Sequence, residues 1–133
     1  METPTATPDT AAPTRKVMIV DDNADLRRLM RIALGRQHTL LEASNGRRAL
    51  ALMAIERPQI VLLDIMIPGD LGGLQVLDII KRDPDLQHTV VAMLTSRGQA
   101  SDDTDARMRG ADAYFIKPFS PRNLKTWIED RLS

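Results

Sequence analysis

The sequence has no cysteine among its 133 residues. This absence excludes a disulfide-stabilised scaffold and every zinc or iron–sulfur site that depends on thiolate ligands. Aromatic residues make up only 3% of the chain, so a surface that stacks bases or sugar rings is not expected. The 18 Lys and Arg residues balance 18 Asp and Glu residues, which removes the general attraction to nucleic acid or to an anionic membrane. No apolar run approaches the roughly 18 residues of a membrane-spanning helix.

The remaining composition is that of one globular domain preceded by a short tail. A chain of this length forms a single domain with a sizeable core. Residues 1–14 are rich in Thr, Pro and Ala and nearly lack bulky apolar side chains, so we predict a flexible tail there. The domain is predicted over residues 15–133. The first residues lack the apolar core of a signal peptide, and we expect a cytoplasmic location.

Short apolar runs alternate with amphipathic segments through the whole domain. The runs predict five strands, and the first, third and fourth are continuously apolar, as strands buried on both faces of a parallel sheet are. The predicted strands contain Val17–Val20, Thr39–Leu41, Ile60–Leu63, Val90–Leu94 and Ala113–Ile116. Five βα units are too few for an eight-stranded barrel, so the fold class is an open α/β sheet.

Apolar residues at helical spacing predict a helix after each strand. The first helix keeps this spacing from Leu26 to Ala33, and the second stops before Pro58, which cannot continue it. A third helix follows the third strand, and a weaker, polar helix is predicted over Gln99–Arg109. Ser120, followed by Pro121, is the predicted N-cap of the fifth helix.

Charged and hydroxyl side chains follow four of the predicted strands at the point where each strand ends. Asp21 and Asp22 follow the first strand, Asp64 the third, Thr95 the fourth and Lys117 the fifth. Each alone is most simply a cap or turn residue. Because the carboxyl ends of parallel strands share one edge of the sheet, however, we expect these side chains to converge. Neighbouring strands lie about 4.8 Å apart, which would place three carboxylates within a few ångströms of one another.

Converging carboxylates require a cation or a raised pKa, because they cannot all ionise side by side without compensation. Oxygen ligands without Cys or His favour a hard cation, and Mg²⁺ is the expected one. Carboxylates, Mg²⁺, an ammonium and a hydroxyl are the groups that phosphoryl transfer uses for positioning and charge neutralisation.

At these positions the sequence resembles the receiver domain of two-component response regulators. The resemblance extends from about Lys16 to the end of the chain and rests on four motifs. They are Val17–Asn23, Leu62–Gly69, Leu94–Gly98 and Gly110–Phe119. It implies a flavodoxin-like (βα)5 doubly wound parallel sheet with strand order 2-1-3-4-5. Because the sequence stops after the fifth helix, we expect either a stand-alone, chemotaxis-type receiver or a piece of a larger regulator.

The resemblance also implies a role for each acidic residue. Asp64 would be the nucleophile that accepts a phosphoryl group from the phosphohistidine of a sensor histidine kinase or of a phosphotransfer protein. Asp22 would bind Mg²⁺ directly and Asp21 largely through water, with Asp64 and the main-chain carbonyl of Met66 completing the protein ligands. Lys117 would pair with Asp64 before phosphorylation and with a phosphoryl oxygen afterwards.

Two further residues would form the switch in this resemblance. Thr95 would donate its hydroxyl to the phosphoryl group, and Tyr114 would turn inward when Thr95 moves. The surface of the fourth helix, fifth strand and fifth helix would then change and control a downstream protein target or an output domain. We expect such a domain to assist its own phosphorylation and dephosphorylation without being an enzyme. The first helix, with Asn23, Leu26, Arg27 and Met30, would be the kinase docking site.

Several features depart from the family pattern or stay open. The loop from Asp64 to Gly73 is one residue longer than usual, a difference that should leave Asp64 in place. The single tryptophan, Trp127, has two open interpretations: it covers the core, or it anchors a partner. His38 and His88 fall at strand-entry ends, away from the acidic edge, and we predict both as surface residues.

Three other functions compete with a phosphorylated receiver. A flavin-binding protein of this fold would need a phosphate-binding loop where Asp21 and Asp22 stand. An aspartate-nucleophile phosphatase would need a second acid two residues after Asp64, and Met66 stands there. A phosphorylation-independent interaction module of receiver fold would have no need of the full set of acidic, hydroxyl and ammonium groups.

Overall fold

The computed structural model describes residues 15–96 and 100–132, without the side chains of residues 100–103. The predicted tail of residues 1–14 lies outside the described residues. The strands are β1 (Arg15–Val20), β2 (His38–Ala43), β3 (Ile60–Asp64), β4 (Val90–Thr95) and β5 (Ala113–Ile116). The helices are α1 (Ala24–Leu34), α2 (Gly46–Glu56), α3 (Gly73–Arg82), α4 (Ala100–Met108) and α5 (Pro121–Leu132), with a short 3-10 turn at Gly35–Gln37.

The five strands form one parallel sheet in the order β2-β1-β3-β4-β5. This arrangement confirms the predicted doubly wound fold and its 2-1-3-4-5 order. β1, β3 and β4 are the inner strands, and almost all of their residues are buried, as their continuous apolar runs predicted. The crossover between β2 and β3 makes β1 and β3 neighbours, so the acidic residues that follow them share one edge.

Helices cover both faces of the sheet and enclose two separate apolar clusters. On one face α1 and α5 pack against the sheet through residues such as Met30, Leu34 and Ile128. On the other face α2, α3 and α4 pack against it through residues such as Met53 and Ile80. None of the helices in the described part of the chain is both long and apolar enough to cross a lipid bilayer.

Capping residues account for where α1 begins and ends and for where α5 begins. The Asn23 side chain accepts hydrogen bonds from the amides of Asp25 and Leu26 and so starts α1 directly after the acidic turn. Gly35, with φ of 66°, ends that helix in a conformation that favours glycine. Ser120 accepts from the amide of Asn123 at 3.2 Å, which confirms it as the cap of α5.

Trp127 packs against the cluster beneath α5, as the core interpretation expected. Its ring meets Phe115 edge to face, with centroids 5.5 Å apart, and the Arg131 guanidinium lies 5.4 Å from its centroid. The half-buried ring therefore closes the core between β5 and α5. A role as a partner anchor stays a prediction.

The prediction for His38 was wrong. Its side chain is only 8% exposed, and neither ring nitrogen has a hydrogen-bond partner among the described residues. The imidazole lies at the start of β2 beneath α5, with Nε2 3.7 Å from a Glu129 oxygen. A histidine at a strand end looked polar and accessible in the sequence, but the tertiary packing of α5 covers it. His88 is exposed, as predicted.

The longer loop between β3 and α3 is tied to α2 by an ion pair. Arg47 donates to both carboxylate oxygens of Asp70. At the end of the loop, the Gly73 amide donates to the Ile65 carbonyl at 2.9 Å. Asp64 remains the last residue of its strand, so the loop leaves it in place.

A second ion-pair network joins α3 to the carboxyl end of α4. Arg109, directly after α4, lies 2.7 Å from an Asp78 oxygen and 2.9 Å from an Asp105 oxygen. Asp78 belongs to α3 and Asp105 to α4, so the guanidinium bridges the two helices.

Candidate functional site

Three carboxylates converge at the carboxyl edge of the sheet, as predicted. Asp21 is fully buried after β1, Asp64 is 5% exposed at the end of β3, and Asp22 is exposed beside them. Each offers one oxygen, and the three oxygens lie within 4.8 Å of one another. Their spacing fits a single hard cation, because neither histidine nor sulfur takes part and Mg²⁺ prefers such oxygen ligands.

Lys117 completes the cluster with a positive charge. Its Nζ lies 2.6 Å from Asp21 Oδ2 and 3.0 Å from Asp64 Oδ2, so one ammonium bridges two carboxylates. The Lys117 amide donates to the Thr95 carbonyl at 2.6 Å, and this main-chain contact brings the end of β5 to the site. The following peptide bond, Lys117–Pro118, is cis.

Main-chain hydrogen bonds fix the two buried acids. The Asp21 amide donates to the Ala43 carbonyl at 3.0 Å, which extends the pairing of β1 with β2 by one residue. Asp21 Oδ1 accepts from the Asn23 amide at 2.8 Å, and Asp64 Oδ1 accepts from the Met66 amide at 2.9 Å. In each acid, therefore, one carboxylate oxygen accepts a hydrogen bond from a main-chain amide and the other accepts from Lys117.

The electrostatic environment raises the pKa of both Asp64 and Lys117. Burial raises the pKa of the Asp64 carboxyl, and the nearby Asp21 charge adds to this, against the hydrogen bonds from Met66 and Lys117. Burial opposes the charged form of Lys117, but its hydrogen bonds to Asp21 and Asp64 outweigh burial and raise its pKa. One ammonium shared between two carboxylates does not fully compensate both of them.

Replacing Asp64 with asparagine should stabilise the metal-free protein by about 1 kcal/mol at neutral pH, on the scale of single stabilising substitutions. Because the folded-state pKa of Asp64 is raised, its stabilising contribution is present below the ordinary carboxyl pKa and is lost as the pH rises through the raised value. The gain should therefore shrink towards about pH 4. Urea unfolding across this range measures it.

Asp70→Asn is the matched control for this measurement and should act in the opposite direction. Its hydrogen bond with Arg47 lowers the pKa of Asp70, so the ionised form favours folding at neutral pH. Asp64→Asn could instead destabilise the protein at neutral pH, as Asp70→Asn is expected to. That result would contradict the interpretation that the Asp64 charge is only partly compensated in the folded protein.

The other predicted residues surround this centre. Thr95 is 4% exposed at the end of β4, and its strand pairs Leu94 with Asp64. Tyr114 lies half-buried on β5 and packs against the cluster beneath α4. The main chain of Met66 contacts Asp64 through its amide, while its side chain is exposed. The roles of Thr95, Tyr114 and the Met66 carbonyl stay predictions.

Two features of the site were missed in the sequence. Arg27 of α1 donates from Nη1 to the Asp21 carbonyl at 2.7 Å, behind the acidic turn. A cavity of about 540 Å³ lies beside Lys117, between α1 and the loop into α5, and Leu29 and Phe119 are among its lining residues. The sequence places Arg27 on the first turn of α1, but it does not direct the guanidinium towards the Asp21 carbonyl.

The fold and site together define a flavodoxin-like α/β domain with an acidic, lysine-bridged centre at the carboxyl edge of its sheet. The chain belongs to the response regulator receiver domain family, whose profile matches residues 17–129. This membership confirms the resemblance drawn from the four sequence motifs, because the matched range contains all the predicted site residues.

Similar proteins support the same family. The chain is 40% identical over 114 residues to a probable transcriptional regulator ycf27 of Guillardia theta, covering 85% of this chain and 43% of that protein. It is 36% identical over 111 residues to the phosphate regulon transcriptional regulatory protein PhoB of Pseudomonas aeruginosa, covering 83% of this chain and 48% of PhoB. The chain thus spans less than half the length of these curated relatives.

Solved structures match almost end to end. The BeF3-activated DrrB receiver domain superposes with a TM-score of 0.81 at 26% identity, covering 90% of this chain and 98% of that one. A putative response regulator from Chloroflexus aurantiacus superposes with a TM-score of 0.83 at 25% identity, with coverage of 90% and 98%.

Proposed function

We propose that this receiver domain accepts a phosphoryl group on Asp64 from the phosphohistidine of a sensor histidine kinase or a phosphotransfer protein. In the transfer an Asp64 oxygen forms a bond to phosphorus and the phosphorus–nitrogen bond breaks. The histidine, already protonated on its other ring nitrogen, keeps the electron pair of the broken bond and leaves as neutral imidazole. The observation that supports the proposal most strongly is Lys117 bridging Asp21 and Asp64 inside a cluster of three carboxylates.

The surroundings of Asp64 suit a carboxylate nucleophile. The Met66 amide holds Oδ1, and Lys117 contacts Oδ2 and can pass to a phosphoryl oxygen after transfer. Asp21, Asp22 and Asp64, with the Met66 carbonyl, would hold Mg²⁺. When bound, Mg²⁺ supplies neutralisation of the charge on the phosphoryl oxygens. The domain would thus assist its own phosphorylation and dephosphorylation without being an enzyme that acts on a separate substrate.

The phosphoryl group would be read out through Thr95 and Tyr114. Phosphorylation adds between one and two negative charges and new acceptor oxygens next to the end of β4. Thr95 would donate its hydroxyl to them, and Tyr114 would follow it inward. A difference of a few kcal/mol between the two arrangements suffices to shift their populations. The affected surface of α4, β5 and α5 would then engage a downstream protein target or an output domain.

The phosphodonor would dock over α1. Leu29 and Ile32 are 51% and 68% exposed on this helix, which is a large apolar exposure for so short a segment. The cavity beside Lys117 opens next to Leu29 and can receive an apolar side chain of the donor. Met30, expected at this docking surface, is fully buried and is excluded from it. We propose a cytoplasmic protein that binds neither nucleic acid directly nor membrane.

Incubation with Mg²⁺ and acetyl phosphate, followed by intact-mass measurement, tests the proposal. The wild-type chain should gain one phosphoryl group, the gain should disappear with a chelator, and Asp64→Asn should gain none. Asp70→Asn, which removes an exposed acid of the same loop, should be labelled like the wild type. Phosphate retained on Asp64→Asn would refute the assignment. A wild-type chain that stays unlabelled and still binds its partner would favour the phosphorylation-independent interaction module.

A further inference from the structure

We propose that Arg27 is a positioning residue that orients the acidic turn for Mg²⁺ by holding the main-chain carbonyl of Asp21. This inference rests on the proposed function, since it concerns the cation that the carboxylate cluster would bind. It assigns to Arg27 a part in the chemistry of the site rather than in kinase docking.

The contacts of Arg27 reach the acidic turn from behind. Nη1 donates to the Asp21 carbonyl at 2.7 Å, while Nε lies 3.1 Å from Glu42 Oε1. The Arg27 side chain is mostly buried, so these hydrogen bonds are shielded from water. Glu42 belongs to β2, and it holds the guanidinium against the sheet.

The Asp21 main chain is consequently fixed on both sides. Its amide donates to the Ala43 carbonyl of β2, and its carbonyl accepts from Arg27 of α1. That carbonyl belongs to the peptide group that leads into Asp22. The orientation of this peptide plane sets the direction in which the Asp22 side chain leaves the turn.

Asp22 depends on this main-chain support more than the other two acids do. Asp21 and Asp64 each have a carboxylate oxygen on a main-chain amide and another on Lys117. Within the described residues the exposed Asp22 carboxylate accepts no hydrogen bond of its own. Mg²⁺ demands near-ideal octahedral geometry, so a ligand oriented in advance binds it better than a freely rotating one.

Electrostatics and positioning predict opposite results when Arg27 is removed. Arg27 is a cation close to a cation-binding site, so charge alone would make Mg²⁺ bind more tightly without it. Loss of the hold on Asp21 would make Mg²⁺ bind more weakly. The direction of the change therefore separates the two effects.

Arg31 provides a matched control on the same helix. Its guanidinium also pairs with Glu42, at 2.9 Å, but makes no contact with the acidic turn. Arg31→Ala removes the same charge and one ion pair of the same glutamate, Glu42. It leaves the hydrogen bond from Arg27 to the Asp21 carbonyl in place. Arg27→Lys keeps the charge but cannot supply the planar pair of donors.

Calorimetric titration of the full metal-free chain with Mg²⁺ tests the proposal. Arg27→Ala should bind Mg²⁺ about tenfold more weakly, the lower end of the loss seen for outer residues of metal sites. Arg27→Lys should be weakened too, and Arg31→Ala should stay within about twofold of the wild type. In the metal-free protein, the amides of the acidic turn should exchange with solvent faster in Arg27→Ala than in Arg31→Ala.

Unchanged or tighter binding by folded Arg27→Ala would overturn the proposal, as would an equal loss in Arg31→Ala. Circular dichroism establishes folding, and if the alanine variant does not fold, the comparison rests on Arg27→Lys. Failure of the wild-type chain itself to bind Mg²⁺ or to take up phosphate would contradict the proposed function. Wild-type binding with an unaffected Arg27→Ala would contradict this inference alone.

Discussion

Replacing Gly73 with alanine is expected to destabilise the protein by about 4 kcal/mol, at the upper end of single substitutions. A Cβ at this position would lie 2.2 Å from the Asp64 carbonyl oxygen and 2.6 Å from the Ile65 Cα. Both are main-chain atoms at the end of β3, so neither can move aside without displacing the strand that ends in Asp64. The expected result is a loss of stability together with a loss of phosphoryl uptake.

Gly72 supplies the control for this experiment, one residue earlier in the chain. A Cβ there would meet the Gln75 Oε1 at 3.0 Å, the end of a side chain that can shift by a few tenths of an ångström while it still accepts from the Gly72 amide. Gly72→Ala should therefore cost less than about 1 kcal/mol. Urea unfolding of both variants measures the difference. Equal effects at the two positions would mean that α3 can shift away from β3, contrary to the close contact described.

The second large effect is expected for Lys117→Ala, which should lower the unfolding free energy by about 2 kcal/mol in the metal-free protein at neutral pH. Its removal leaves Asp21 and Asp64 buried without a counter-charge. The expected loss is below the range for a fully buried pair, because the Lys117 side chain is partly exposed and Asp64 can take up a proton. The loss should diminish as the pH falls and Asp64 becomes protonated.

Lys16→Ala is the matched control for Lys117→Ala. Lys16 also pairs with a carboxylate, that of Glu56 at 3.1 Å, but both side chains are about one-third exposed. Such a pair is typically worth about 1 kcal/mol or less. Added Mg²⁺ should stabilise Lys117→Ala more than Lys16→Ala, because the cation would compensate the unpaired carboxylates. A similar response of the two variants would contradict the assigned role of Lys117.

The fold and the centre of the site were predictable because they depend on periodicity and on strand ends. The apolar run before Asp64 marks a strand buried on both faces, and the position of an acid at its end follows from the chain alone. Once β1 and β3 lie side by side, Asp21 and Asp64 must meet. Family resemblance supplied the order of the strands, which the alternation of elements does not determine.

Other features depend on contacts between distant segments and were not predictable. His38 is buried because α5, more than eighty positions away, packs over the start of β2. Arg27 could have pointed to solvent like Arg28 beside it, and only the three-dimensional position of Glu42 and the Asp21 carbonyl directs it inward. Long side chains have many rotamers, and the sequence does not specify which partner a guanidinium selects.

The bridge made by Arg109 would restrict how the proposed switch moves α4. It joins the carboxyl end of α4 to Asp78 of α3, whereas the amino end of α4, which begins at Ala100, is the end nearer in sequence to Thr95. A displacement that begins at Thr95 would therefore rotate α4 about its carboxyl end, where Arg109 holds it. The amino end of α4 would then move furthest. A partner that binds α4 at that end would distinguish the two arrangements of the helix best.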